Sequence, residues 1–416
     1  MSQFFKVTSR SKKACLPAGR SKARLATITT DHGVIQTPAF VPVGTKGTIK
    51  ALPQSFFKDI GIQLSFVNTY HLVTHPGVEV FKKAGGIHNL ADYNIPLMSD
   101  SGGFQVFSLA KNEKRRAAVR GDEQPLVEKI SDNGVKFRSV YDGQLIEFTP
   151  EKSMEYQKII GADMNMAFDE CTYYPATHEY TEKAMKRTHE WLKRCISYRM
   201  SNHQLQITNQ SQISKSQPPT TNYQLPTINQ YLYGIIQGGT YEDLRLASAK
   251  FIQTQDVSGV AIGGVSVGET KSEMRDQVRW VAPYLPQDKP VHLLGVGQVD
   301  DIIDLVKYGI DTFDCVEPTR VARMGSIYQL RSILLQLEDK KEPYEIDIQK
   351  SVYKTDVSSL DEDCDCYVCK NYTKAYLHHL FKQREIIGYT LATYHNLWVM
   401  ERLMEKIREM ITENLL

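Results

Sequence analysis

The chain has 416 residues, 41% hydrophobic and 24% charged, which excludes a fibrous or wholly disordered protein and leaves room for one large domain or two medium ones. Lys+Arg 50 against Asp+Glu 48 gives a net charge of +2, so no global basic field marks a nucleic-acid binder, and such contact must come from a local patch. No apolar run reaches membrane-spanning length, the start MSQFFKVTSRSKK lacks the apolar stretch of a secretory signal, and the seven cysteines therefore read as reduced thiols or metal ligands in a cytoplasmic protein.

Short apolar segments recur along the chain, each ending in Gly, Asp, Asn or Gln. In order they are TPAFVPVGT at 37–45, LSFVNTYHL at 64–72, IPLMSDSGG at 95–103 and ADMNMAFDE at 162–170. They continue with QYLYGIIQGG at 230–239, GVAIGGV at 259–265, VHLLGVG at 291–297 and TFDCVEPTR at 312–320. Continuous rather than alternating apolar runs predict strands buried on both faces, as in parallel sheets. Amphipathic stretches such as EYTEKAMKRTHEWLKRCISYRM at 179–200 and TYEDLRLASAKFIQT at 240–254 predict helices between them. Eight strand–helix units predict an α/β fold, a (β/α)8 TIM barrel, with a doubly wound open sheet as the competing arrangement.

Two stretches read as inserts. Residues 110–125 carry Lys111, Lys114, Arg115, Arg116 and Arg120, a run that reads as a solvated face or a nucleic-acid contact. Turn signals at Asp132-Asn133-Gly134 and Asp142-Gly143 then predict a hairpin. Residues 201–230 have Lys215 as their one Lys, Arg, Asp or Glu and are rich in Gln, Asn, Ser and Thr, which predicts a flexible surface loop. Past residue 330 come a charged stretch, a cysteine cluster and the amphipathic NLWVMERLMEKIREMI. The expected organisation is a catalytic barrel over 1–335 and a zinc-binding helical subdomain over 336–416 packed on it.

Polar residues gather at the carboxyl ends of the predicted strands: Asp100, Asp169, Gln237, Gly263–Gly264, Gly295–Gly297 and Asp314. Any one of them serves equally well as a turn or cap residue, but barrels assemble their sites where the loops leaving these ends converge. Paired carboxylates at such a mouth suit chemistry at an anomeric carbon, one as nucleophile and the other shuttling protons; Asp100 and Asp314 are the leading pair. Asp169 can accept two N–H bonds from a guanine-like edge, while a backbone N–H near Gly264 can donate to the carbonyl of the same base. Separately, Cys364, Cys366 and Cys369 place three thiols within six positions, a spacing that suits zinc. A tetrahedral site needs one more ligand, and His378, His379 and His395 are the local candidates. The cluster's distance from every strand end predicts a structural role.

These motifs coincide with a known family. From about residue 20 onward the chain resembles bacterial tRNA-guanine transglycosylase, or queuine tRNA-ribosyltransferase, through TPAFVPVGT, NTYHL, SDSGGFQVFSL, MAFDECT, GIIQGG, GGVSVGE, LLGVG, FDCVEPTR and CDCYVC. The resemblance implies an enzyme that exchanges guanine at the wobble position of tRNAs with GUN anticodons for 7-aminomethyl-7-deazaguanine, through a covalent tRNA–enzyme intermediate and without an organic cofactor. In that scheme Asp314 is the nucleophile and Asp100 the general acid/base. Asp100, Ser101, Gly102, Gly103, Phe104, Asp169, Gln237, Gly264 and Leu294 surround the base, with Phe104 and Leu294 on its two faces. Gly295, Val296, Gly297, Gln298, Val299, Asp300 and Asp301 match one RNA-contacting region; Thr319, Arg320, Val321, Ala322 and Arg323 match another. Cys364, Cys366, Cys369 and His395 match the ligands of one structural zinc ion. The implied partners are a tRNA anticodon loop, a 7-deazaguanine base and a second copy of the chain in a homodimer, with no membrane.

Two departures bear on this. Glu317 stands where the family usually has an apolar residue, and Val265-Ser266-Val267 differs from the more usual Leu-Ala-Val beside the aminomethyl group. Cys171 agrees with the bacterial type. The alternatives are a variant that accepts queuine and a non-catalytic tRNA-binding partner subunit on the same scaffold; retention of both Asp100 and Asp314 speaks against the second.

Overall fold

Each of the eight apolar segments forms a strand in the structure, a computed structural model that describes residues 3–16, 19–103, 126–139, 141, 143–212, 228–338, 340 and 342–416. In chain order these are β1 (Ala39–Pro42), β2 (Ser65–Val67), β3 (Leu97–Ser99) and β4 (Met164–Met166). They are followed by β5 (Tyr231–Ile236), β6 (Gly259–Ile262), β7 (Val291–Leu293) and β8 (Thr312–Cys315). They make one eight-stranded sheet in the order β1-β8-β7-β6-β5-β4-β3-β2, parallel wherever register is defined. A parallel bridge between Val43 and Phe66 joins the β1 end to β2, so the sheet is a nearly closed barrel. The order never reverses, and with no switch point the doubly wound alternative falls away. Nearly every strand residue is buried, as two covered faces require.

The chain divides into two compact units: residues 1–29, 33–66 and 290–416, and residues 30–32 and 67–289. The first unit carries β1, β7 and β8. In it Arg24 pairs bidentately with Asp311, Nε to Oδ1 at 2.9 Å and Nη2 to Oδ2 at 2.6 Å, and the backbone N–H of Val291 donates to the same carboxylate. This buried pair leaves no charge uncompensated, which ties the start of β8 to an outer strand, Arg24–Thr30. The long helix Ile386–Thr412 is buried all round over residues 391–397 and continues to bury Met400, Leu403, Met404 and Ile407 beyond them. From within the buried surface of this helix Asn396 donates to the carbonyls of Pro318 and Ser326 and accepts from the N–H of Tyr328, fixing the segment that follows β8.

The second unit carries β3 to β6. The expected hairpin is a three-stranded antiparallel meander, Leu126–Ser131, Gly134–Arg138 and Leu145–Phe148, turning at Asp132–Asn133. Thr149 then caps the helix Pro150–Ile160, its Oγ1 accepting from the N–H of Lys152 at 3.2 Å, with Pro150 in the first turn where a missing N–H costs nothing. The reading of 201–230 as a loop is corrected in its first part: the helix His178–Gln212 runs through it. No Gly or Pro interrupts residues 201–217, and Gln is a good helix former, so polarity alone does not end a helix. Residues 213–227 and the basic run 110–125 lie outside the described residues.

Candidate active site

At the end of β3 the Asp100 carboxylate is held on both oxygens. Oδ1 accepts from the N–H of Thr69 at 2.7 Å and of Gly102 at 3.1 Å, and Oδ2 accepts from Asn68. Gly102 has φ +81, and a Cβ there would fall 2.5 Å from the Phe148 ring; one at Gly103 would fall 2.5 Å from the carbonyl oxygen of Asp169. Glycine is required at both positions, and it brings the chain close beside the next strand end. Phe104 lies outside the described residues.

The ends of β4, β5 and β6 complete a polar pocket with this one. Asp169 Oδ1 accepts from Ser101 Oγ at 2.9 Å and Oδ2 from Gln237 Nε2 at 2.7 Å. Burial raises the Asp169 pKa to about 6, against the pull of its Ser101 and Gln237 hydrogen bonds. The other end of the Gln237 amide is the telling atom: Oε1 is buried and, among the described residues, has no hydrogen-bond partner. A buried acceptor left empty costs about 1–3 kcal/mol, so this oxygen fits a ligand N–H. Gly264 faces it at φ +60, where a Cβ would sit 2.2 Å from Oε1. Cys171 is buried next to this pocket, and burial pushes its thiol well above the usual range, which makes it inert rather than nucleophilic.

One residue that holds this arrangement escaped the sequence reading. Arg245 is fully buried and donates to the carbonyls of Ile236, Gly239, Gly263 and Gly264 and to Gln277 Oε1. Burial lowers its pKa to about 10, so it stays charged at neutral pH, clamping the ends of β5 and β6 with a fork of donors. A small, open cleft lies beside Gly264, lined by Tyr173, Tyr174, Tyr241, Thr172 and Val267 among others.

In the first unit Asp314, at the end of β8, is 7% exposed, and its Oδ1 accepts from the N–H of Gly295 at 2.7 Å and faces His292 Nε2 at 3.1 Å. Leu294 follows β7 and is half-buried. Of the segments expected to meet RNA, Val296, Gly297, Val299, Asp301, Thr319 and Ala322 are buried, whereas Gly295 and Arg320 are exposed and Gln298, Asp300, Val321 and Arg323 half-buried.

Cys364, Cys366, Cys369 and His395 converge in the same unit, all buried, with the three Sγ atoms 3.8, 3.5 and 3.3 Å from His395 Nδ1. His395 Nε2 lies 2.8 Å from the carbonyl oxygen of Tyr328, which fixes its proton there and turns Nδ1, unprotonated, toward the thiols. The donor set can therefore hold a metal ion. His378 is engaged elsewhere, at the carbonyl of Ile348. A second group, His32, His88 and Asp163, also comes together. There the two rings stack 3.5 Å apart and nearly parallel, with His32 Nδ1 2.8 Å from Asp163 Oδ1 and His88 Nε2 3.6 Å from Oδ2 and facing the carbonyl of Ile95.

Carboxylates at the strand ends of a nearly closed parallel barrel, Asp100 and Asp169 in one unit and Asp314 in the other, fit the class of barrel enzymes. The family model described as Queuine tRNA-ribosyltransferase matches residues 19–416. The chain is 43% identical over 395 residues to the queuine tRNA-ribosyltransferase of Caldanaerobacter subterraneus subsp. tengcongensis, covering 95% of this chain and 92% of that one. It is 42% identical over 396 residues to that of Aquifex aeolicus, covering 94% and 92%. The chain belongs to the queuine tRNA-ribosyltransferase family, the pentosyltransferases that act on guanine in tRNA in the making of queuosine.

Proposed function

We propose that this enzyme exchanges the guanine at the wobble position of tRNAs with GUN anticodons for 7-aminomethyl-7-deazaguanine by double displacement. The observation that carries the reading is the buried Oε1 of Gln237, unpartnered among the described residues and lying beside Asp169 and Gly264, an acceptor edge suited to a purine-like base. Asp314 attacks C1′ of the ribose, the C1′–N9 bond breaks, and guanine leaves with its electron pair and a proton from Asp100. Asp100, now a carboxylate, takes the N9 proton of the incoming base; N9 attacks C1′, and the ester to Asp314 breaks with net retention. The cleft beside Gly264 receives the substituent of the incoming base, and competition between 7-aminomethyl-7-deazaguanine and queuine measures how large a substituent fits. The base must leave the anticodon stack to reach a barrel mouth, so the substrate is a loop rather than a duplex. Exposed Arg320 and half-buried Arg323 suit its phosphates. Three thiols and an imidazole favour zinc in a structural site, and we read the active form as a cytoplasmic homodimer.

The test is uptake of radiolabelled guanine into unmodified tRNA together with recovery of a denaturation-resistant protein–RNA adduct. Asp314→Asn is expected to lose both while retaining tRNA binding; an adduct that persists in this variant would overturn the nucleophile assignment.

A further inference from the structure

His292 lies in the middle of β7, in a run of apolar residues where sequence gives it no role, yet it is fully buried with both ring nitrogens engaged. Nδ1 is 2.9 Å from Thr312 Oγ1 and Nε2 is 3.1 Å from Asp314 Oδ1, while the ring lies against Phe66 with centroids 5.8 Å apart and planes 15° from parallel. A carboxylate oxygen can only accept. Nε2 therefore carries a ring proton aimed at Asp314, while the Thr312 hydroxyl engages Nδ1. Oδ1 thus receives two donors, His292 and the N–H of Gly295, and Oδ2 accepts no hydrogen bond among the described residues. The two oxygens are therefore unlike, one anchored and one with its lone pairs open.

We infer that His292 is a positioning residue for the glycosyl-transfer reaction: it anchors Oδ1, leaves Oδ2 as the attacking atom, and promotes release of the ribose from Asp314. This rests on the reading of Asp314 as nucleophile. In the first displacement Oδ2 bonds to C1′ and the carboxylate charge disappears, so a donor on Oδ1 gives no electrostatic help to that step. In the second, N9 of the incoming base bonds to C1′, the C1′–Oδ2 bond breaks, and its electron pair returns to the carboxylate. Charge reappears on Oδ1, where the Nε2–H and the N–H of Gly295 are already in place. The donor from His292 acts on leaving-group departure, so its loss separates the two half-reactions, which a general loosening of the fold does not do.

The experiment follows adduct formation on unmodified tRNA, then its discharge by 7-aminomethyl-7-deazaguanine, in wild type, His292→Phe, His292→Gln and Thr312→Val, with Asp314→Asn alongside. His292→Phe is expected to form adduct within a few-fold of the wild-type rate but discharge it about 10- to 100-fold more slowly, so adduct accumulates during turnover while KM for tRNA holds. His292→Gln, whose amide can donate to Oδ1, recovers much of the discharge rate. Thr312→Val, which removes the hydroxyl that engages Nδ1 but keeps the shape, slows discharge in the same direction and covers the case in which the Phe variant fails to fold. Discharge at the wild-type rate in both folded variants, or equal slowing of both half-reactions, would overturn the inference and leave the nucleophile standing. Adduct formation by Asp314→Asn would instead overturn the reading beneath it.

Discussion

Gly264 and Gln237 show how narrowly single residues set the proposed base site. A Cβ at position 264 would lie 2.2 Å from Gln237 Oε1, at a φ that side chains rarely adopt. Gly264→Ala is expected to cost about 1 kcal/mol in stability but to displace the amide, raising KM for the base at least tenfold; unfolding curves and exchange kinetics separate the two effects. Asp169 adds a pH dependence. With its pKa raised to about 6, it is the ionised acceptor above that pH and loses an acceptor position as pH falls through it. Affinity for the base should therefore drop below about pH 6 in the wild type and lose this dependence in Asp169→Asn, as base titrations would show. The carboxylates and glycines of this site were legible because they break apolar runs at strand ends. Arg245 was not: in an amphipathic stretch an arginine reads as solvent-facing, and its partners are mainly backbone carbonyls, which leave no mark in a motif. His292 was hidden for a related reason, since its partners Thr312 and Asp314 belong to the next strand.

Among the elements, the strands of the barrel were readable to within a few residues because both faces are buried and turn residues punctuate each run. The end of the helix His178–Gln212 was not, since composition measures what a segment can bury rather than where a backbone stops. The helix Ile386–Thr412 carries a further peculiarity in Glu401, a fully buried carboxyl whose burial raises its pKa to about 8, opposed by Arg408 and Arg402. The unfolded chain releases that proton near the ordinary value of 4.5, so its contribution to stability is intact below that pH and lost as pH climbs toward 8. The loss is at most about 1.4 kcal/mol per pH unit. Glu401→Gln, which stays neutral, should flatten this part of the stability profile in urea titrations between pH 5 and pH 8; an unchanged slope would place the titration elsewhere.

For the molecule as a whole, the cysteine–histidine group binds its unit together from the end of the chain back to the segment after β8. Cys366→Ser is expected to lower bound zinc and thermal midpoint together, and removal of the metal from the wild type by a chelator should reproduce the same shift; metal analysis paired with melting curves checks both. The route of the effect runs through two adjacent residues. His395 faces the thiols and meets the carbonyl of Tyr328, while Asn396 accepts from the N–H of the same Tyr328 and grips Pro318, four residues past Asp314. Asp169 and Gln237, by contrast, are held by contacts within the other unit. Scarcity of the metal should then blunt ribosyl transfer sooner than recognition of the free base. A cell short of zinc would hold a pool of protein that still captures the modified base but cannot pass it on, so the mineral nutrition of the organism would be recorded in the anticodons of its tRNA.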